Sequence, residues 1–328
     1  MGEKMEKLYR EPLNSNKISL RNRIVMPPMA TGKTPDGKPG KELFEYYKAR
    51  ANGTALIIVE HEYVMNEGKA HDNQLSMADD TVIAAYQALT AAVHENGAKV
   101  FAQINHAGAK ASNTGFRVVG PSAVAWKDGE VPHALTKEEI GEVVAAFAEA
   151  AVRVKEAGFD GVEIHSAHGY LLNQFYSPLM NKREDEYSAD TMENRTRIHR
   201  EVIAEVKKAV GEDFIIGIRF GACDYCEGGS EIEDIPAAVK VFEEAGVDFI
   251  DVTGGMQGFV RPGHSEPGYL KELGLAAKEV ATVPVILTGG VHTADDMEGL
   301  LREGAGDLIG VGRAMMKDAD WSARALAE

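Results

Sequence analysis

The chain has 328 residues, a formal net charge of −16, and 44% hydrophobic against 26% charged residues. Acidity with no Lys/Arg cluster argues against a nucleic-acid partner, and no apolar run approaches the ~18 residues of a membrane span. The N-terminus, Met1-Gly-Glu-Lys-Met-Glu-Lys, lacks the apolar centre of a signal peptide, and two cysteines cannot form a disulfide framework, so the chain reads as cytoplasmic.

In chain order, residues 7–20 alternate apolar and polar around Asn14-Ser-Asn16 and predict a hairpin. Short β-branched runs follow at 24–26, 55–60, 99–104, 161–164, 214–220, 249–252, 283–287 and 308–311, the pattern of buried parallel strands. Helical patterns separate them at 41–52, 79–96, 194–210, 233–245, 269–281 and 292–303. Another helix opens on the capping box Thr136-Lys-Glu-Glu139, carries Ile140, Val143, Val144, Phe147, Ala151 and Val154 on one stripe, and stops at Gly158. One motif recurs: Glu156-Ala-Gly158-Phe-Asp160, Glu244-Ala-Gly246-Val-Asp248 and, more loosely, Arg302-Glu-Gly304-Ala-Gly-Asp307, each before a strand. Eight βα units over this length predict a single (β/α)8 TIM barrel, one domain over 1–328, with the N-terminal β-hairpin closing its bottom. A doubly wound sheet is the alternative, but no G-x-G-x-x-G occurs. The long polar connection 171–193 is expected to be functional.

On a barrel, chemistry collects at the C-terminal ends of the strands. Those ends carry Pro27-Pro-Met-Ala-Thr31, Glu60-His61, Gln103-Ile-Asn105-His106, His165 with His168 and Tyr170, Arg219, Thr253, Gly289-Gly290 and Gly312-Arg313. Glycines after the last two strands, with Arg313, predict a phosphate site. Gln103 and Arg219 offer donors to a flat, carbonyl-rich ligand, and together with a phosphate site they point to FMN. His165, His168 and Tyr170 read either as an acid–base cluster or as core and loop residues. Without a carboxylate cluster no metal site is expected, and Cys223-Asp-Tyr-Cys226 has no second pair to complete one. Gly32-Lys-Thr-Pro-Asp-Gly37-Lys38 imitates a nucleotide-binding loop, but Pro39 stands where Ser or Thr must hold magnesium.

From about Leu8 to Trp321 the chain resembles the Old Yellow Enzyme family of FMN-dependent ene-reductases. The resemblance rests on Leu20-Arg-Asn-Arg-Ile-Val-Met-Pro-Pro-Met29, Gln103-Ile-Asn-His-Ala-Gly108, Gly161-Val-Glu-Ile-His165-Ser-Ala-His168-Gly-Tyr170, Asn181-Lys-Arg183, Glu193-Asn-Arg195 and Asp307-Leu-Ile-Gly-Val-Gly312-Arg313. It implies that Pro28, Met29 and Ala30 flank the isoalloxazine, Gln103 bonds its pyrimidine edge, Arg219 sits near N1/O2, and Gly289, Gly290, Gly312 and Arg313 hold the phosphate. His165 and His168 would bind a substrate carbonyl and Tyr170 would donate the proton. The implied reaction is ping-pong, with NADH or NADPH as donor and an enone-type small molecule as acceptor; a homo-oligomer stays open.

Two positions depart from the family. Ala30 replaces the usual Thr or Cys, leaving Thr31 as the only substitute at that edge, and His61 stands where a small residue is common, so it is expected against the flavin. Larger relatives continue into a four-cysteine cluster and flavin/NAD domains; without those cysteines, no internal electron relay is expected. The rivals are a metal-dependent lyase using His61, His106, His165 and His168, a dehydrogenase of the trimethylamine dehydrogenase type, and a non-catalytic flavin binder.

Overall fold

The computed structural model describes residues 6–34 and 36–328. Eight parallel strands pair in chain order: β1 (Ile24–Met26), β2 (Leu56–Tyr63), β3 (Lys99–Asn105), β4 (Gly161–Ser166), β5 (Ile215–Cys223), β6 (Phe249–Gly254), β7 (Val285–Thr288) and β8 (Leu308–Gly310). β1 pairs with both β8 and β2, which closes the ring. Outside it run α1 (Lys41–Ala51), α2 (Ile83–His94), α3 (Lys137–Glu156), α4 (Arg197–Val210), α5 (Ile235–Ala245), α6 (Lys271–Lys278), α7 (Ala294–Arg302) and α8 (Trp321–Ala327). The fold is a (β/α)8 barrel.

The recurring glycine–aspartate motif has a local cause. Gly158, Gly246 and Gly304 take positive φ after α3, α5 and α7, a conformation that costs glycine least. The aspartate that follows then exchanges two hydrogen bonds with the start of the preceding strand. Val100 N donates to Asp160 Oδ2 at 2.9 Å and Asp160 N to Val100 O at 2.8 Å. Asp248 does the same with Ile216, and Asp307 with Val285. Each aspartate thereby satisfies an end group of the ladder and sets the register of the next strand.

The hairpin, Leu13–Asn14 against Ser19–Leu20, closes the bottom. Leu13, Ile18 and Leu20 pack with Val25, Leu56, Ile58, Phe101, Phe249, Ile286 and Leu308, the inward residues at the strands' N-terminal ends. Each large side chain withdrawn from water there contributes about 1.5–3 kcal/mol. Above this plug the inward positions turn polar. Parallel register sets Gln103 beside Glu163, and Arg219 beside both His165 and Asp251. β2 carries a bulge: Val59 is opposite Ala102 and Glu62 opposite Ile104, so Glu60 and His61 together face one β3 residue. A bulge re-aims side chains at a barrel rim. No described helix is long and apolar enough to cross a membrane.

Candidate active site

β4 runs on to Ser166, so His165 is a strand residue rather than a loop residue, and alternation turns it inward above Glu163. The chain then reverses through two left-handed residues, His168 (φ 58°) and Gly169 (φ 72°), before Tyr170 precedes a short buried helix, Leu171–Tyr176. That turn is fixed on three sides: Lys110 Nζ donates to His168 O (2.7 Å), Gly169 N to Asn173 Oδ1 (2.8 Å), and Gln174 Nε2 to Gly169 O (2.8 Å). The rings converge, with His165 centred 5.2 Å from His168 and 5.0 Å from Tyr170, and His61 5.2 Å from Tyr170.

These rings line a cavity of ≈ 550 Å³ at the C-terminal end of the barrel, within the usual range for a small-molecule site. Pro28, Met29, Ala30, His61, Gln103, Arg219, Gly289, Gly290, Gly312 and Arg313 line it too. The fold thus brings all the residues expected at the site to one cavity. Burial, reinforced by Arg219 and Lys110 at both and by His168 at His165, holds His165 and His168 well below the ordinary imidazole pKa, so both are neutral. His61 is pushed down to about 3 by burial, with His71 and Lys110 adding to it. Its tautomer is decided by Gln74. Ala70 N donates to Gln74 Oε1 (2.6 Å), which turns Gln74 Nε2 toward His61 Nδ1 at 2.8 Å. Nδ1 accepts, so the proton sits on Nε2. His168 Nε2 is 3.1 Å from Thr253 Oγ1, which leaves Nδ1 for a ligand, while His165 Nδ1 is sealed in the wall without a partner. Burial raises Tyr170 to about 12, keeping its phenol protonated.

Opposite, across the barrel, the N–H groups of Gly289, Gly290 and Gly312 donate to nothing within the described residues, and Arg313 has no carboxylate partner there. Unpaired backbone donors grouped with a guanidinium are an anion cradle. On the floor, Arg219 Nε lies 3.3 Å from Asp251 without an aligned hydrogen bond, and Gln103 Nε2 donates to Glu163 Oε2 at 2.6 Å.

Comparison with known proteins gives this geometry a family. Residues 7–328 match the model of the NADH:flavin oxidoreductase / NADH oxidase family. The chain belongs to it. It is 41% identical to an NADH oxidase of Thermoanaerobacter brockii over 94% of this chain and 49% of that protein. It is 36% identical to an NADPH dehydrogenase of Halalkalibacterium halodurans over 95% and 91%. An Old Yellow Enzyme homologue from Zymomonas mobilis superposes with a TM-score of 0.86 at 26% identity, covering 97% of this chain and 92% of that one. The chain spans about half the length of the first of these relatives.

The family is one of flavin oxidoreductases, and the residues of this barrel fit an FMN. The free N–H groups and Arg313 suit a phosphate, and Gln103 and Arg219 suit the carbonyl-rich edge of a flavin. Thr31 does not take over the edge that Ala30 leaves. Its hydroxyl donates to Glu60 Oε1 (2.6 Å), its N–H donates to Glu60 Oε2 (2.8 Å), and neither residue lines the cavity. His106 is also outside: its Nδ1 accepts from Gly108 N at 3.1 Å and burial lowers it to about 3. Among the described residues no group of three His, Cys, Asp or Glu could hold a metal, and Cys223 and Cys226 are free thiols.

The connection 171–193 differs from expectation. None of it lines the cavity, and its polar side chains serve the backbone instead: Asn173 and Gln174 fix the His168 turn, and Asn181 Nδ2 donates to Phe175 O and Tyr187 O. The cavity wall comes rather from Lys110 and Trp126 after β3 and from Met256 and Phe259 after β6, none of which the sequence reading named. For Lys110 a signal existed, since it lies two residues beyond the Gln103–Gly108 motif. Trp126 and Phe259 sit in irregular loops with no periodicity to place them.

Proposed function

We propose that this barrel, as one FMN-binding domain over 1–328, reduces the C=C bond of α,β-unsaturated carbonyl compounds with NADH or NADPH in a ping-pong cycle. The observation that supports it is the pairing, across one cavity, of two neutral imidazoles and a protonated phenol with a separate cradle for a phosphate. A bound FMN would supply the hydride transfer, from NADH or NADPH to the substrate's β-carbon. His165 and His168 hold the carbonyl oxygen, where negative charge grows as the double bond is reduced. Neutral donors fixed beforehand in a dry wall stabilise that charge without reorganisation. Tyr170 gives its phenolic proton to the α-carbon and recovers one from solvent. Gln103 and Arg219 would hold the flavin's pyrimidine side, Pro28, Met29, Ala30 and His61 would line its other edges, and Gly289, Gly290, Gly312 and Arg313 would take its phosphate.

The test is an anaerobic titration of the FMN-loaded protein with NADH and NADPH, followed by an enone. Bleaching of the visible flavin band by the dinucleotide and its return on adding 2-cyclohexenone are the expected results. Bleaching with no return for any of a panel of enones would refute ene-reduction while leaving the flavin assignment standing.

A further inference from the structure

The cavity contains no carboxylate, although the chain carries a net charge of −16. Apart from Arg219 on the floor, its cations fall in two groups. Arg313 belongs to the β8 side with the glycine cradle. Lys110 and Lys127 lie across the barrel, in the segments between β3 and α3, and both approach the Trp126 indole, with their Nζ atoms 5.2 and 5.7 Å from its ring centroid. Neither lysine has a carboxylate partner within salt-bridge distance among the described residues, whereas most lysines of this chain do. Lys110 is half-buried, spends one N–H on His168 O, and lies 4.4 Å from the Tyr170 ring. Burial and the charge of Lys127 together draw it down to about 8. Asp128 and Glu130 follow directly in sequence but do not line the cavity.

Two lysines drawn to one aromatic wall, neither neutralised by a carboxylate, offer a place for an anion. Apolar surface flanks that place: Trp126 closes over Gly169 on one side, and Phe259, largely exposed, stands 6.1 Å from His168 on the other. We propose that Lys110 and Lys127 form an anion subsite for the reducible substrate, which is therefore an unsaturated carbonyl compound with a flat apolar body and a carboxylate or phosphate at the end remote from the reacting carbonyl. The carbonyl rests on His165 and His168, the body lies between Trp126 and Phe259, and the anion reaches the lysines. The subsite is distinct from the phosphate cradle, because the two cation groups stand on opposite sides of the barrel.

The inference rests on the ene-reductase reading, and the test separates the two. With FMN-loaded protein, kcat/KM is compared for cinnamaldehyde and its para-carboxylate, in the parent chain and in Lys127→Glu and Lys127→Gln. The carboxylate is expected to be preferred about tenfold, and Lys127→Glu to reduce the carboxylate-to-neutral ratio by about tenfold, with Lys127→Gln between, because charge reversal replaces attraction by repulsion. Salt at about 0.5 M should shrink the preference in the parent. An unchanged ratio in Lys127→Glu overturns the subsite. So does a variant whose only defect is weaker NADH or NADPH binding in the reductive half-reaction, since the anion is then the dinucleotide's. Where neither aldehyde turns over, calorimetric binding of para-hydroxybenzoate and para-hydroxybenzaldehyde still reads the charge preference: a Lys127-dependent advantage for the carboxylate supports the subsite, and equal affinities overturn it.

Discussion

Gln103 Nε2 donates to Glu163 Oε2 at 2.6 Å on the floor of the cavity, so its amide oxygen is the end left facing a ligand. That oxygen is set to meet a ligand N–H, while the second N–H of Nε2 stays available for a neighbouring carbonyl. Burial, helped by the neighbouring Asp251, holds the Glu163 carboxyl far above the carboxylate range, against the pull of Arg219 and Gln103. Glu163 is consequently a neutral acid beside Asp251.

If Glu163 is neutral, glutamine is nearly its isostere. Glu163→Gln should bind FMN within about threefold of the parent, while Glu163→Ala strands a buried amide at a cost of about 1–3 kcal/mol and weakens FMN by about tenfold or more. Quenching of FMN fluorescence on titration measures both. Equal losses in the two variants would mean that the carboxylate charge, not its shape, is what matters.

Asp251 supplies a pH dependence. Burial raises it from 3.8 to about 6 against the opposing effect of Arg219. The folded state thus holds a proton that the unfolded chain has released across that window, so the pair's contribution to stability is full below about 3.8 and is lost as pH rises toward 6. Asp251→Asn should flatten the melting temperature against pH in this interval. A slope identical to the parent's would assign it to other groups.

Because His61, His165 and His168 are all held neutral, none should titrate near neutrality. The rate of enone-dependent flavin reoxidation should show no inflection between about pH 6 and 8 from an imidazole. His165→Ala should slow that half-reaction by about 10²–10³ and leave reduction by NAD(P)H far less affected. Stopped-flow traces of each half-reaction make the comparison, and equal slowing of both would sink the oxyanion role. Tyr170→Phe should likewise slow only reoxidation, with FMN still bound.

Gly169 resists substitution on two counts. It takes φ 72°, and a β-carbon there would collide with the Trp126 indole. Gly169→Ala should destabilise the fold by about 1–3 kcal/mol and displace His168. Chemical denaturation and the two half-reactions report these separately. A variant of parental stability and rate would show that the loop carrying Trp126 yields freely.

Legibility was uneven, for physical reasons. The sequence by itself determined the barrel, because a buried parallel strand must be apolar on both faces, a helix must stop, and the glycine and aspartate that follow leave a repeat visible in the residues. It also determined the rim, because chemistry on this fold collects at the ends of the strands, and counting eight strands gives eight ends. Even the hairpin plug showed in the alternation of residues 7–20. What tertiary structure alone decided depends on register and on contacts between distant segments. The β2 bulge turns His61 into the cavity while Glu60 is spent on Thr31, although the two are neighbours in sequence. Asp251 and Glu163 become a pair of buried acids only because β5 sets Arg219 between their strands. Lys110 and Lys127 meet at Trp126 across 16 intervening positions of irregular chain, where no periodicity announces which side chains point inward. Local patterns are written in the chain because each residue's burial follows from its neighbours; a site's charge is set by residues that are neighbours only once the barrel has closed.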